Sequence, residues 1–450
     1  MKYSWNEESL DHRNALLYGM GVSEEEANRP VIGIINGWNE MNPGHYHFRE
    51  VVEDIKEVIS ENGCLPRELP VIGICDGMCS NTPGDRYTLP ARDLVSMDVE
   101  TLSELNQIDG MILLGTCDKM VPGMLMGMLR VNIPSVMFTG GYMHPGVSAE
   151  GKTLTITNTK QAYAAWQAGD IEREQYKDIV RNVCPGPGAC PMMGTAVTMC
   201  ALAEVLGFSP EGNATVAALS QEWRSMAKLA AKRIVDLVEE GKSPRDFLSQ
   251  ESFYNVIRYV MATGGSTNTA LHLPTIAKTA GFDIDINEFE RLSEEIPEIL
   301  SIFPSHDYYT MEDYAAAGGI SAVIAELAKV GKFCLDVDGV FSTMTDRVAR
   351  AENKNYEVIH TADKPINEKG GLAILHGNLG RSSIVKFSAV DPVSWVFSGP
   401  AKVYDSQDEA WQAALNDEIS EGDVVVVRYE GPKGSPGMPH IETFMAAILG

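Results

Sequence analysis

Four short apolar runs in the first third of the chain constrain its fold more than any other feature. They are "VIGIING" (31–37), "LPVIGICDG" (69–77), "GMILLGTCD" (110–118) and "IPSVMFTGG" (133–141). Each ends at glycine or a small polar residue. A run without polar alternation is the pattern of a strand buried on both faces. Between the runs lie segments of helical period, "FREVVEDIKEVISENG" (48–63) and "LPARDLVSMDVETLSELNQI" (89–108). Strand–helix alternation of this kind predicts an α/β/α domain on a largely parallel sheet.

Helices are also expected over 213–242 and 311–332. The character then changes near residue 335. "DVDGVFSTMTDRV", "YEVIHTADKPINEKGGLAILHGNLG", "SSIVKFSAV" and "GDVVVVRYEGPKGSPGMP" are short, β-rich and punctuated by Gly, Pro, Asn and Asp. The expected organisation is an α/β domain over 1–335 and a mainly-β, barrel-like domain over 336–450. The second domain reads as incomplete, because "MPHIETFMAAILG" starts a helix-like pattern that stops at Gly450.

With 450 residues, the chain is long enough for two or three domains. Its net charge of −26 argues against a nucleic-acid partner and against an anionic membrane surface. It does not exclude an anionic substrate, since one metal ion can reverse the field inside a pocket. No window of about twenty apolar residues occurs, and the polar, acidic N-terminus lacks a signal-peptide core. The expected location is the cytoplasm. In a reducing compartment, eight cysteines read as core thiols, metal ligands or catalytic groups.

Two of the runs end alike, in Cys75–Asp76 and in Cys117–Asp118–Lys119. Ligands bind beyond the carboxyl ends of strands in an open α/β sheet, so the two pairs could meet at one site. A third cysteine-bearing loop, "CPGPGACPMMGTA" (184–196), places Cys184 and Cys190 around glycines and prolines that free the backbone for close approach. Thiolates select soft metals and iron–sulfur clusters, whereas carboxylates select magnesium, calcium or manganese. Both types in adjacent positions suggest two metal centres side by side. Taken alone, a Cys at a strand end is a small buried hydrophobe, which is the reading for Cys64, Cys79, Cys200 and Cys334. An Asp there can be only a helix cap.

Several longer stretches resemble the dihydroxy-acid dehydratase and phosphogluconate dehydratase family. They are "DGMCSNTPGDRYTLPARDLV", "GTCDKMVPGMLMGMLRVNIPSVMFTGG", "CPGPGACPMMGTAVTM", "GGSTNTALHL", "GGLAILHGNLG" and "GDVVVVRYEGPKGSPGMP". The resemblance runs from about residue 30 to the end, and "RYTLPARD" is closer to the dihydroxy-acid branch. It implies an iron–sulfur hydro-lyase that removes water from a 2,3-dihydroxy acid to leave a 2-keto acid, in branched-chain amino-acid biosynthesis. A sugar-acid dehydratase is the nearest alternative, and a catalytically silent family member is another. The resemblance implies that Asp76, Asp118 and a carbamylated Lys119 bind Mg²⁺. It also implies that Cys117 and Cys190 ligate the cluster. A homodimer is expected.

The chain departs from the family pattern in three places. Trp38, in "NGWNEMNPGH", stands where many members carry a cysteine, which disfavours a [2Fe–2S] centre ligated there. Cys75 supplies a third thiol in the manner of phosphogluconate-type relatives, so [4Fe–4S] is favoured. His440 stands where the family has a magnesium-binding Glu, with Glu442 two positions on. The family's proton-abstracting serine lies in a glycine-rich stretch beyond the last residue here, so no base is assigned.

Smaller features carry two readings each. His45 and His47 in "PGHYHF" would share a face of a strand, as metal ligands or as core residues. "TGGSTN" (263–268) precedes a helix and reads as an anion-holding turn or as a simple capped turn. "EGPKGSPGMP" reads as a loop facing the site or as a plain β turn.

Overall fold

The computed structural model describes residues 6–431 and 439–441. Its centre is a parallel four-stranded sheet in the order β2-β1-β3-β4. The strands are β1 (Val31–Asn36), β2 (Leu65–Pro70), β3 (Gly110–Leu114) and β4 (Ser135–Phe138). Every residue of β1, β3 and β4 is buried, as the unbroken apolar runs require. The register pairs Asn36 with Leu114, and Leu114 with Phe138. Three strands therefore finish at one level, and the loops that follow them share one edge.

The expected strand at 69–77 is corrected. The ladder against β1 ends at Pro70, opposite Asn36. With no partner strand beyond Asn36, Val71–Cys75 leaves the sheet as extended chain and enters a single 3₁₀ turn at Asp76–Met78. The prolines of β2 suit its position at the sheet edge.

Helices α1 (Arg49–Glu61), α2 (Thr88–Asn106) and α3 (Met120–Val131) connect the strands. α3 is apolar all round and buried along nearly its whole length. Gly123 and Gly127, one turn apart, allow the α2 backbone to approach it. A Cβ at these positions would lie 2.7 Å from the Arg92 carbonyl oxygen and 2.8 Å from that of Ser96.

α4 (Thr195–Val205), α5 (Gln221–Glu240), α6 (Gln250–Thr263) and α7 (Thr269–Ala280) follow. α5 packs on α1 and on strands β3 and β4. It begins at Gln221 rather than near 213, because Ser220 caps it by accepting from the Trp223 amide. The expected helix over 311–332 is two helices, Met311–Ala316 and Gly319–Lys329. They part at Gly318 and Gly319, both with positive φ. None of the described helices is long and apolar enough to cross a membrane.

The C-terminal part has small strands, as expected. Ala373–Leu375 pairs antiparallel with Ser383–Val385, and Ala401–Tyr404 pairs parallel with Val424–Val427 across the helix Gln407–Leu415. Among the described residues these are separate two-stranded sheets, with no closed barrel. "STMTDRV", read as β, instead forms the helix Met344–Arg350, with Thr343 accepting from the Asp346 amide as its cap.

Candidate active site

The edge beyond β1, β3 and β4 is braced by two buried histidines. The Thr116 amide donates to His45 Nε2 at 2.7 Å, and His45 Nδ1 donates to the Gly37 carbonyl at 2.7 Å. Burial lowers His45 to about 4, so the ring is neutral and ties the exit of β3 to that of β1. His47 Nε2 lies 2.8 Å from the Gly140 carbonyl oxygen, beyond β4. Both histidines lie at a 3₁₀ turn, Tyr46–Phe48, and serve as struts in the core. The strand reading for them is corrected, and His45, with both ring nitrogens bonded, is a core residue.

Past Thr116, Cys117 adopts a left-handed φ of +58°, unusual for a residue with a side chain. That reversal turns Cys117 toward Asn42, whose Oδ1 accepts from the thiol at 3.3 Å. Gly44 leaves room for it, since a Cβ there would lie 2.6 Å from the Cys117 sulfur. Cys117 and Cys75 lie close enough for each thiol to shift the other. This contact, together with the Gly77 and Met78 amides, outweighs burial and lowers the Cys75 thiol. The same contact, then burial, raises Cys117 well above the ordinary thiol range.

Cys190 reaches this edge because its loop docks on two strand exits. The Gly188 amide donates to the Pro43 carbonyl at 3.0 Å, and the Ala189 amide to the Gly141 carbonyl at 2.8 Å. Gly188 has φ +120°, and a Cβ there would lie 2.5 Å from the Met143 nitrogen. The charge of Cys190 is felt at Cys117. Cys184, at the start of the loop, is exposed. Cys64 and Cys200 are buried as core thiols, while Cys79 and Cys334 are half-buried.

The carboxylate side adjoins the thiols. Lys119 sits at the start of α3 and donates to Asp76 Oδ2 at 2.6 Å, with both side chains buried. Burial alone would lower Lys119, yet the charges of Asp76, Asp118 and Asp85 outweigh it and raise the amine. Asp76 Oδ1 is buried with no hydrogen-bond partner. A buried carboxylate oxygen without a donor is an open ligand position for a hard cation. Asp76 fits such an ion on that ground, with the Asp118 charge close enough to act on the same Lys119. Among the described residues, no three His, Cys, Asp or Glu side chains are already spaced around a metal.

Sequence reasoning missed two groups here. Asp85 is 2% exposed and receives the His440 amide at 2.8 Å, while His440 Nδ1 lies 2.7 Å from its other oxygen. His440 thus reaches Asp85, beside Lys119, across the length of the sequence. Glu442 lies outside the described residues, as does most of "EGPKGSPGMP". His272, on α7, is buried; its Nδ1 lies 3.2 Å from Arg92 Nη1, and its Nε2 has no partner. Burial, then the charges of Lys119 and Arg92, hold it far below the usual range, so it is neutral. "LHL" reads as helix core, and only the packing of α7 on α3 brings it here.

One further expectation is resolved. In "TGGSTN" the Ser266 amide donates to Thr198 Oγ1 at 3.1 Å and the Asn268 amide to Ser266 Oγ at 3.2 Å. These amides are satisfied within the protein, which is the turn reading. The Trp38 indole donates to the Tyr46 carbonyl at 2.8 Å and lies under the Arg49 guanidinium.

Residues 29–347 match the family profile described as dihydroxy-acid/6-phosphogluconate dehydratase N-terminal. Residues 357–450 match the C-terminal profile of the same description. A dihydroxy-acid dehydratase of Caldanaerobacter subterraneus subsp. tengcongensis is 41% identical over 445 residues, covering 98% of this chain and 80% of that protein. Its counterpart in Methanosphaera stadtmanae is 41% identical over 444 residues, with the same coverage. That of Caldicellulosiruptor saccharolyticus is 40% identical over 440 residues, covering 97% and 79%.

Proposed function

This chain belongs to the dihydroxy-acid/6-phosphogluconate dehydratase family, and from that premise we propose that it is a hydro-lyase converting a 2,3-dihydroxy acid to a 2-keto acid and water. The observation that carries the reading is the meeting of Cys75–Asp76 with Cys117–Asp118–Lys119 at one edge, where the two thiols act on each other and Lys119 donates to Asp76. In this reading Cys75, Cys117 and Cys190 hold an iron–sulfur cluster. Three thiolates suit a [4Fe–4S] cluster with one open iron. Asp76, Asp118 and Lys119 hold Mg²⁺. Together these groups would supply Lewis acidity toward the departing 3-hydroxyl and charge stabilisation for the carboxylate and 2-oxygen.

The protein's own part is placement. The left-handed turn at Cys117 brings its thiol to Asn42, while Lys119, two residues on, reaches Asp76. The His45 and Asn42 contacts hold that turn rigid, so little reorganisation accompanies reaction. Lys119 as an ammonium neutralises the carboxylates. Carbamylation adds carbon dioxide to the neutral amine and releases a proton, so it would require Lys119 to give up the ammonium proton it donates to Asp76. The neutral His272 adds a buried ring nitrogen on the α7 side.

The Cys75–Cys117 contact favours a second reading, a sugar-acid dehydratase, because a cysteine before Asp-Gly is shared with phosphogluconate-type relatives. Branched-chain amino-acid biosynthesis, the cytoplasm and a homodimer belong to the first reading. The test is keto-acid production by anaerobically reconstituted protein from 2,3-dihydroxyisovalerate, gluconate and 6-phosphogluconate. Turnover of the first alone is expected. Turnover of a sugar acid alone moves the assignment, and no keto acid from any of them overturns it in favour of a silent family member.

A further inference from the structure

Two titratable groups outside the edge described above are Glu298, which is buried, and Lys386, which is half-buried. Glu298 is 1% exposed; its Oε2 accepts from the Asn367 side-chain amide, and its Oε1 is buried without a partner. Gly264 and Gly371 frame that oxygen, and a Cβ on either would approach it to 3.1 or 3.2 Å. Lys386, just after the strand Ser383–Val385, donates to the Met193 carbonyl at 3.0 Å. Burial pushes Glu298 up to about 7 and Lys386 down to about 8, each offset in part by the other's charge. No other charged group among the described residues shifts either one. The remaining neighbours, Asn367 and the Ser305–Ser388 hydroxyl pair, are neutral.

Met193 belongs to the turn that carries Cys190. The Met192 amide donates to the Cys190 carbonyl at 2.8 Å and the Gly194 amide to that of Met192 at 2.8 Å. Backbone contacts hold the rest of the turn, from Met193 to Phe303 at 2.7 Å and from Met311 to Pro191 at 3.2 Å. Lys386 adds a charged side-chain donor from a point 193 residues further along the chain. A charge-assisted bond is roughly twice as strong as a neutral one, so this contact outranks the others on the turn.

We propose that Lys386 is a positioning residue for Cys190: its ammonium, balanced by Glu298, fixes the Met193 carbonyl and so sets how the Cys190 thiol is presented to the strand edge. The C-terminal part of the chain thereby controls a thiol of the N-terminal part. The functional meaning of that control rests on Cys190 serving the iron site as proposed above.

The test compares wild type, Lys386→Met, Lys386→Arg and Glu298→Gln as full-length chains. Iodoacetamide labelling of Cys190 is followed by peptide mass spectrometry before reconstitution, and bound iron is measured after it. Lys386→Met is expected to change the Cys190 labelling rate about tenfold, leave Cys117 labelling within about twofold, and lower iron retention. Lys386→Arg should restore both, which loss of packing alone would not do. If Lys386→Met does not fold, Lys386→Arg and Glu298→Gln decide: Cys190 labelling near wild type in the first and altered in the second supports the proposal. Unchanged Cys190 labelling in Lys386→Met, or in Glu298→Gln where that variant decides, overturns it. Wild-type protein that binds no iron would instead sink the cluster reading, while the labelling result still judges Lys386.

Discussion

The two halves of the strand edge are built from neighbouring residues yet balanced by different means. On the carboxylate side, Asp76, Asp118 and Asp85 surround a cation that the chain itself provides, the Lys119 ammonium. On the thiol side, Cys75 is stabilised by a second thiol and by the Gly77 and Met78 amides, with no cationic side chain among the groups that shift it. A carboxylate buried without a counter-ion costs several kcal/mol, so a hard-ligand cluster needs a built-in cation to fold before any metal arrives. Thiols can be buried in their neutral form at little cost and need none. One edge can carry thiols and carboxylates together because only the carboxylates must be charge-balanced during folding.

Three substitutions probe that difference, in falling order of effect. Cys117→Ser should abolish iron retention after anaerobic reconstitution while changing the unfolding midpoint little, because a serine fits the same pocket. Iron content at the wild-type level would remove Cys117 from the ligand set. Lys119→Met should have the opposite signature. It leaves the buried Asp76 unpaired, at a cost of about 3–5 kcal/mol in chemical unfolding. Millimolar Mg²⁺ should recover part of that loss by binding the folded state. A loss below about 1 kcal/mol would mean that Asp76 needs no counter-charge.

The smallest effect is expected of His440→Ala, about 1–2 kcal/mol, from the lost bond to the Asp85 carboxylate. Burial would raise Asp85, but the His440 contacts outweigh it and hold the carboxyl below its ordinary value of 3.8. A depressed carboxyl stabilises the fold above its unfolded value and loses that contribution as pH falls through the folded one. The difference between wild type and variant should therefore be full at pH 7 and fade below about pH 4. A difference independent of pH would show that His440 acts through packing rather than through Asp85.

Much of the architecture was legible in the sequence because it follows from local rules. Unbroken apolar runs are the pattern of strands covered on both faces, and three of the four expected strands stand where the pattern put them. Cys75, Asp76, Cys117, Asp118, Lys119 and Cys190 could be nominated because each follows a run or a Gly-rich loop of recognisable kind. The errors arose where an element ends for reasons outside its own residues. Val71–Cys75 is as apolar as a strand, but β1 stops at Asn36 and offers it no partner. The pattern over 311–332 is continuous, but two positive-φ glycines divide it.

What the sequence alone determined is the chemistry on offer at the sheet edge: thiols and carboxylates in adjacent positions, on a parallel α/β scaffold. Tertiary structure decided what surrounds them. Asp85 with His440, His272 with Arg92, and Lys386 on the Cys190 turn each join residues far apart in the chain. Neither burial nor hydrogen-bond partnership across such distances has a local signature. Both depend on which helices and loops the packed core brings side by side, and that is settled only when the whole chain has folded.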